Sequence, residues 1–273
     1  MRNLIFLFFI AAVALNAKEY KRVVSLSPAV TEMICVLGRQ DKLVGRSSAC
    51  DYPVEIKKVP VAGELGIPAI ETVIKLKADL IITDITTPQT DWNLLKKAGV
   101  KVVVLKSEKI SDYRDNITTI GKLLGVEENA EKECRRFYDD LKSASAEYSD
   151  LKVKTLLLLG MDPLVSCNKN SFADEILFKS GAVSITRNFP KTYFVLSPEY
   201  VIQQNPRIVI LTGMSGDFRK YLQSIKAWQT LDFIRNNSII NNIPQELICR
   251  LSPRTPLAVK IIGREIRNTL KRH

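Results

Sequence analysis

The chain predicts an α/β protein of two lobes, each with a central, mainly parallel sheet, joined by one long rigid helix with a ligand cleft between the lobes. Three observations carry that expectation. Short apolar β-runs alternate with amphipathic helical stretches along the 273 residues, the pattern of parallel sheets covered by helices. One helix–strand unit occurs twice: the segment 71–83, opened by Glu71, is repeated in pattern by 199–211, opened by Glu199. Between the two copies, 126–148 reads as one uninterrupted helix.

Residues 1–17 have a basic start at Arg2, an apolar run of about a dozen residues and a small residue at Ala17, the layout of an export signal. A membrane anchor needs about 20 apolar residues, which this run lacks. Cleavage near Ala17 is expected, and so is a periplasmic location. No cysteine closely follows the run, the first being Cys35, so a soluble form is expected rather than a lipid-anchored one.

The first lobe is expected over 18–125. Its strands fall at 22–25, 43–45 and 101–105, and its helices at 29–37, 90–98 and 111–124, with the first copy of the repeat among them. A connecting helix follows over 126–149. Its apolar positions, Val126, Ala130, Cys134, Phe137, Tyr138, Leu141, Ala144 and Tyr148, recur every three or four residues and define one face. With no glycine or proline to kink it, this is a rod of roughly 35 Å at 1.5 Å per residue. The second lobe takes 150–273, with strands at 153–160, 183–185 and 238–243. Its helices are expected at 171–180, in a stretch ending at 236, and from 253 to the end. Each copy of the repeat sets a carboxylate in a helix's first turn, where the macrodipole favours it. A smaller echo places Ser27-Pro28 and Ser252-Pro253 as cap and first turn of two helices.

The net charge of +11 raises nucleic acid as a partner. However, the lysines (Lys75, Lys77, Lys96, Lys97, Lys101) are scattered along amphipathic patterns with no aromatic interleaving, so they read as solvated faces and no nucleic acid is expected. The single histidine, His273, is the last residue, which excludes histidine triads and HExxH chemistry. Glycine-rich phosphate loops are absent too. The chain is therefore not expected to be an enzyme.

Five cysteines form no CxxC pair. Cys35 and Cys134 lie on apolar helix faces as small hydrophobes. Cys50, Cys167 and Cys249 fall in loops turned toward the cleft, and three outcomes stay open: a Cys167–Cys249 disulfide, a thiolate ligand for a bound metal, or three unpaired thiols.

Ligands of open α/β sheets bind beyond the carboxyl ends of the strands. The polar and aromatic residues there are Ser27, Cys50, Asp51, Tyr52, Glu64 and Leu65 in the first half, and Asp162, Cys167, Tyr193, Phe194, Glu246, Arg250 and Arg254 in the second. Segments 22–32, 50–53, 69–82, 196–202 and 250–254, in that order over nearly the whole chain past residue 17, resemble the periplasmic binding proteins of the cobalamin and ferric-siderophore ABC importers, the cobalamin branch most. That resemblance implies two α/β lobes on a rigid helix, and no cofactor of the protein's own. The cargo it implies is a bulky metal chelate (cobalamin or a related corrinoid, a ferric siderophore or haem). Delivery by a monomer to an inner-membrane permease dimer is implied as well.

By the same resemblance Glu71 and Glu199 fall where the family keeps its permease-docking glutamates. Tyr52 and Arg250 fall at or near cleft residues, and Tyr193 takes the place of a cleft aromatic. Leu65 replaces a tryptophan of the family and Glu246 an aspartate. A sensing or sequestering role outside transport is the alternative.

Overall fold

The computed structural model of the protein describes residues 19–85, 92–212 and 218–272. The leader and the expected start of a helix at Thr90 lie outside the described residues. The first lobe comprises β1 (Val23–Ser25), α1 (Pro28–Val36), β2 (Leu43–Ser47), β3 (Val61–Glu64), β4 (Ile67–Pro68), α2 (Ile70–Lys75), β5 (Leu80–Thr83), α3 (Trp92–Lys97), β6 (Lys101–Val104) and α4 (Asp112–Leu123). The connector is α5 (Glu127–Glu147). The second lobe comprises β7 (Val153–Leu158), β8 (Gly160–Met161), β9 (Leu164–Cys167), α6 (Phe172–Lys179), β10 (Ala182–Ser184), β11 (Tyr193–Val195), α7 (Pro198–Gln204), β12 (Ile208–Thr212), α8 (Phe218–Ser224), α9 (Asp232–Arg235), β13 (Ile239–Ile243), α10 (Gln245–Ile248) and α11 (Thr255–Leu270).

Sheet order is β4-β3-β2-β1-β5-β6 in the first lobe and β10-β7-β12-β13 in the second. All pairings are parallel except β3 with β4. In the first sheet the strand order reverses between β1 and β5, which leaves a crevice beyond their carboxyl ends. The central strands β5 and β12 are buried throughout, matching the continuous apolar runs of strands covered on both faces.

The expected repeat is present. α2 runs into β5 as α7 runs into β12, with Glu71 and Glu199 each in the first helical turn and exposed. Ser197 caps α7 by accepting a hydrogen bond from the Tyr200 amide, whereas Ala69 offers α2 no side-chain cap.

Three features differ from expectation. A small antiparallel sheet, β11-β9-β8, was not foreseen, because strands of two to four residues carry almost no periodic signal. The helical stretch expected to reach 236 is broken: Trp228 and Phe233 are both fully buried and meet edge to face at 5.7 Å. Five residues apart on one helix they would diverge by about 140°, so the chain breaks to bury both. The closing helix begins at Thr255 rather than at 253. The Thr255 hydroxyl accepts from the Ser252 amide and the Ser252 hydroxyl from the Arg254 amide, a local turn that holds these residues out of the helix.

One continuous apolar cluster, rather than a separate core per lobe, runs from Val23 and Ile34 through Phe137 and Leu141 of α5 to Leu157, Ile176 and Ile262. Each lobe adds a satellite on the far side of its sheet. The connector is thus a shared core element. Tyr113 of α4 stacks on Phe137 at 3.7 Å and donates a hydrogen bond to the buried Glu133 at 2.8 Å, while Arg136 grips that carboxylate with two bonds of 2.7 Å. At the carboxyl end of α5, α11 passes so close that a Cβ on Gly263 would overlap the Tyr148 ring.

Gly263→Ala should therefore lower stability by about 1–3 kcal/mol through overpacking, outweighing the roughly 1 kcal/mol that alanine gains over glycine in a helix interior. Urea titration reads the sign, and a stabilised variant would disprove the close-packing argument. The shared helix also predicts small lobe motion, so scattering curves recorded with and without a bound chelate should nearly superimpose. A large fall in radius of gyration would contradict it.

Candidate functional site

A cavity of about 600 Å³ opens between the lobes at the carboxyl ends of both sheets. Ser27 follows β1, Asp84 and Ile85 follow β5, and Ser107 follows β6, so the crevice at the strand-order reversal forms one wall. The other wall comes from the second lobe, with Phe172 at the start of α6, Tyr193 on β11, and Gln245, Glu246, Cys249 and Arg250 on and after α10. Leu65 reaches in from the β3–β4 turn. A second pocket of about 480 Å³ lies against α1, α5 and α11, away from the strand ends. Only the larger cavity of the two lies beyond the strand ends, where ligands of open α/β sheets bind, which makes it the candidate site.

The loop carrying Asp51 and Tyr52 is held from beneath by Arg46. Its buried guanidinium donates to the carbonyls of Ser47 and Cys50 at 3.0 and 3.1 Å, of Val59 at 3.1 Å and of Lys57 at 3.3 Å. A loop without regular structure is thereby pinned by one side chain that satisfies four carbonyls.

Across the cleft, four charged side chains form a clasp. Glu32 of α1, 3% exposed, accepts from the Arg254 guanidinium at 2.7 and 2.8 Å and from Arg250 at 3.4 Å. Arg250 also donates to both oxygens of Asp51 at 2.6 and 3.2 Å. Two first-lobe carboxylates thus hold two second-lobe guanidinium groups in fork geometry. The Arg250 hydrogen bond holds the Asp51 carboxyl below its ordinary value. The linkage therefore favours folding above the usual carboxylate range and is lost only as pH falls through that lowered value. The lobes meet again where the Ile110 amide donates to Glu175 at 2.7 Å and Lys109 lies 3.6 Å from the same carboxylate.

Of the residues expected at the cleft, Ser27, Asp51, Leu65, Tyr193, Glu246, Cys249 and Arg250 line the cavity. Burial pushes the Tyr193 hydroxyl up to about 12, which keeps it a neutral hydrogen-bonding group. Others are not brought there. Tyr52 borders the second pocket, with the Arg254 guanidinium 4.1 Å over its ring, and so belongs to the clasp. Arg254 faces Glu32 rather than the cavity. Phe194 stacks on Phe189 at 4.3 Å and packs on the second lobe's satellite core. Asp162 is at the exposed tip of the β8–β9 hairpin, and Glu64 is exposed at the end of β3.

Of the three outcomes open for the cysteines, unpaired thiols is the one found, although Cys50 and Cys167 are buried and not turned to the cleft. All five are free, so the Cys167–Cys249 bridge is not formed. Cys50 is buried, with its sulfur 3.1 Å from the Thr31 hydroxyl and 3.2 Å from that of Ser47. Cys167 is buried on β9, where desolvation pushes its thiol up to about 12. Cys249 is exposed at the edge of the cavity, where partial desolvation raises its thiol as well. No group of three or more metal-binding side chains occurs among the described residues.

The sequence reading did not single out Arg46, Asp84, Ser107 or Phe172, and it did not assign Glu32 a role. Glu32 alone carried a usable signal, being a charge on an otherwise apolar helix that must find a partner when buried.

Residues 23–245 match the family described as periplasmic binding protein. Among curated relatives, a vitamin B12-binding protein of Vibrio vulnificus is 25% identical over 266 residues, 95% of each chain. An uncharacterised ABC transporter substrate-binding lipoprotein of Bacillus subtilis is 26% identical over 259 residues, 91% of this chain and 81% of that one. Among solved structures, a periplasmic haem-binding protein of Vibrio cholerae superposes with a TM-score of 0.80 at 23% identity, over 89% of this chain and 97% of that one. At that identity the likeness is one of fold.

Removing the clasp's central charge should be costly. Glu32→Gln leaves two partly buried guanidinium groups short of a counter-charge, and we expect a loss of about 3 kcal/mol in urea titration. A change within about 0.5 kcal/mol, the usual range for surface substitutions, would show that the clasp does not hold the lobes.

Proposed function

The chain belongs to the periplasmic binding protein family, and from that premise we propose that it captures a bulky metal chelate and delivers it to an ABC importer of the inner membrane. Its relatives are substrate-binding transport proteins, not enzymes. A corrinoid is the favoured cargo, cobalamin first; haem and ferric siderophores are the alternatives within the same fold. Export behind a leader cleaved near Ala17 and release into the periplasm as a soluble monomer belong to this proposal.

The observation that carries it is the pairing of an interlobe cavity with two exposed glutamates at equivalent places on the two lobes. Glu71 and Glu199 open matching helices and make no ion pair within 4 Å among the described residues. Exposed first-turn carboxylates add only about 0.3–1 kcal/mol each to folding through the helix dipole. An unpaired acid on each lobe is instead suited to seat against cations of a two-fold permease, where charge complementarity fixes register. A sensing or sequestering protein has no need of both.

In proteoliposomes bearing the cognate permease and ATPase, the wild-type protein loaded with cyanocobalamin should stimulate ATP hydrolysis. The variant carrying Glu71→Ala and Glu199→Ala should keep its ligand affinity and melting temperature and lose the stimulation. Normal stimulation by that variant would overturn the docking roles. Failure of the wild type to bind cyanocobalamin, with hemin or a ferric siderophore bound instead, would transfer the cargo to that class.

A further inference from the structure

We infer that the cleft selects chelates whose rim carries uncharged hydrogen-bond donors or positive charge over chelates rimmed with carboxylates, and that Asp84 is a specificity-determining residue; the inference rests on the larger cavity being the ligand site. The first observation is one of sign. The chain carries +11 overall, yet Asp51, Asp84 and Glu246 line this cavity against the single guanidinium of Arg250, with no lysine among the described lining residues. That guanidinium is already committed to Asp51 and Glu32. The N-termini of α1 and α6 bring about half a positive charge each to the cavity wall, which offsets part of the acidity and leaves its sign unchanged.

The second observation is an unfilled acceptor. Asp84 follows β5 at the crevice, and its Oδ2 accepts a hydrogen bond from the Ser107 hydroxyl at 3.1 Å. Its Oδ1 is sealed from solvent and has no hydrogen-bond partner among the described residues. A buried carboxylate oxygen without a donor is costly to maintain; because Asp84 lines the cavity, a turn of its carboxylate toward a donor on the ligand would remove that cost. Glu246, on the opposite wall, also lacks an ion-pair partner among the described residues. An amide-bearing rim presents N–H groups to both acids. A carboxylate-bearing rim meets like charge from both sides, which is how a site rejects a near-isosteric competitor.

The test uses two corrinoids with the same ring and cobalt but different rims: cobinamide, whose side chains are amides, and cobyrinic acid, whose side chains are free carboxylates. Calorimetric titration at neutral pH and low salt should show the wild type binding cobinamide at least about tenfold more tightly, given the size of like-charge penalties across an interface. The isosteric Asp84→Asn should narrow that ratio about tenfold, mainly by improving binding of the acid, with a thermal melt no lower than that of the wild type showing that the fold is intact. The ratio should also shrink as salt screens the acids. Equal binding of the two corrinoids, or an unchanged ratio in Asp84→Asn, overturns the inference and leaves the corrinoid proposal standing. If neither corrinoid binds, a cationic ferric hydroxamate is compared with an anionic ferric catecholate and with hemin. Preference for the cationic chelate then keeps the charge selection and removes the corrinoid cargo. Preference for an anionic chelate, or no binding by any of the five, overturns both.

Discussion

The arrangement of the molecule depends on one buried carboxylate. Glu32 sits on a helix of the first lobe whose other buried side chains are almost all apolar, and its charge is tolerated there because two guanidinium groups from the second lobe come to it. Taking such an ion out of water costs several kcal/mol, an amount recovered only with good geometry and full hydrogen bonding. The two bonds from Arg254 and the longer one from Arg250 meet that condition. The cost also makes the pairing specific, since any other docking of the lobes would strand the charge. Several further features follow from this constraint: Arg250 is placed to reach Asp51, the Tyr52 ring lies against the Arg254 guanidinium, and the clasp stands between the interlobe cavity and the pocket beside α5 and α11.

Much of the fold was legible in the residues because it rests on long, strongly periodic signals. The face formed by Ala130, Cys134, Phe137, Leu141 and Ala144 could belong only to a helix, and all five are buried in α5. The buried runs of β5 and β12 were equally plain. What escaped depends on partners distant in sequence. Nothing near β11 announces a three-residue strand, which exists because Tyr193, Phe194 and Val195 find Cys167, Ser166 and Val165 across an antiparallel register. The break between α8 and α9 is a tertiary demand to bury Trp228 and Phe233 that overrides helical propensity.

The site was legible in a narrower sense. Position relative to strand ends was enough to bring Ser27, Leu65, Tyr193, Glu246 and Arg250 to the cavity. It could not distinguish a loop residue facing the cleft from one facing the core, and so Cys50, buried against the Thr31 and Ser47 hydroxyls, was misplaced. Tyr52 shows a related limit: its loop is indeed at the interface, but its ring is taken by a cation of the opposite lobe. Asp84 gave no signal at all, because an aspartate after an apolar strand is ordinary until its missing hydrogen bond is seen.

The continuous core has a consequence for how the chain comes to its folded state. α11 packs on α5, which packs on α4, so apolar surface of the connector stays uncovered until residues 255–270 have been made. A chain built this way cannot consolidate its amino-terminal half early and then add the rest, as independently folding domains do during synthesis. In a protein that we propose to be exported, that ordering is an advantage. Until its last helix has been made, the newly made chain lacks the surface that closes its shared core, and a chain that has not closed is the form a translocation channel accepts.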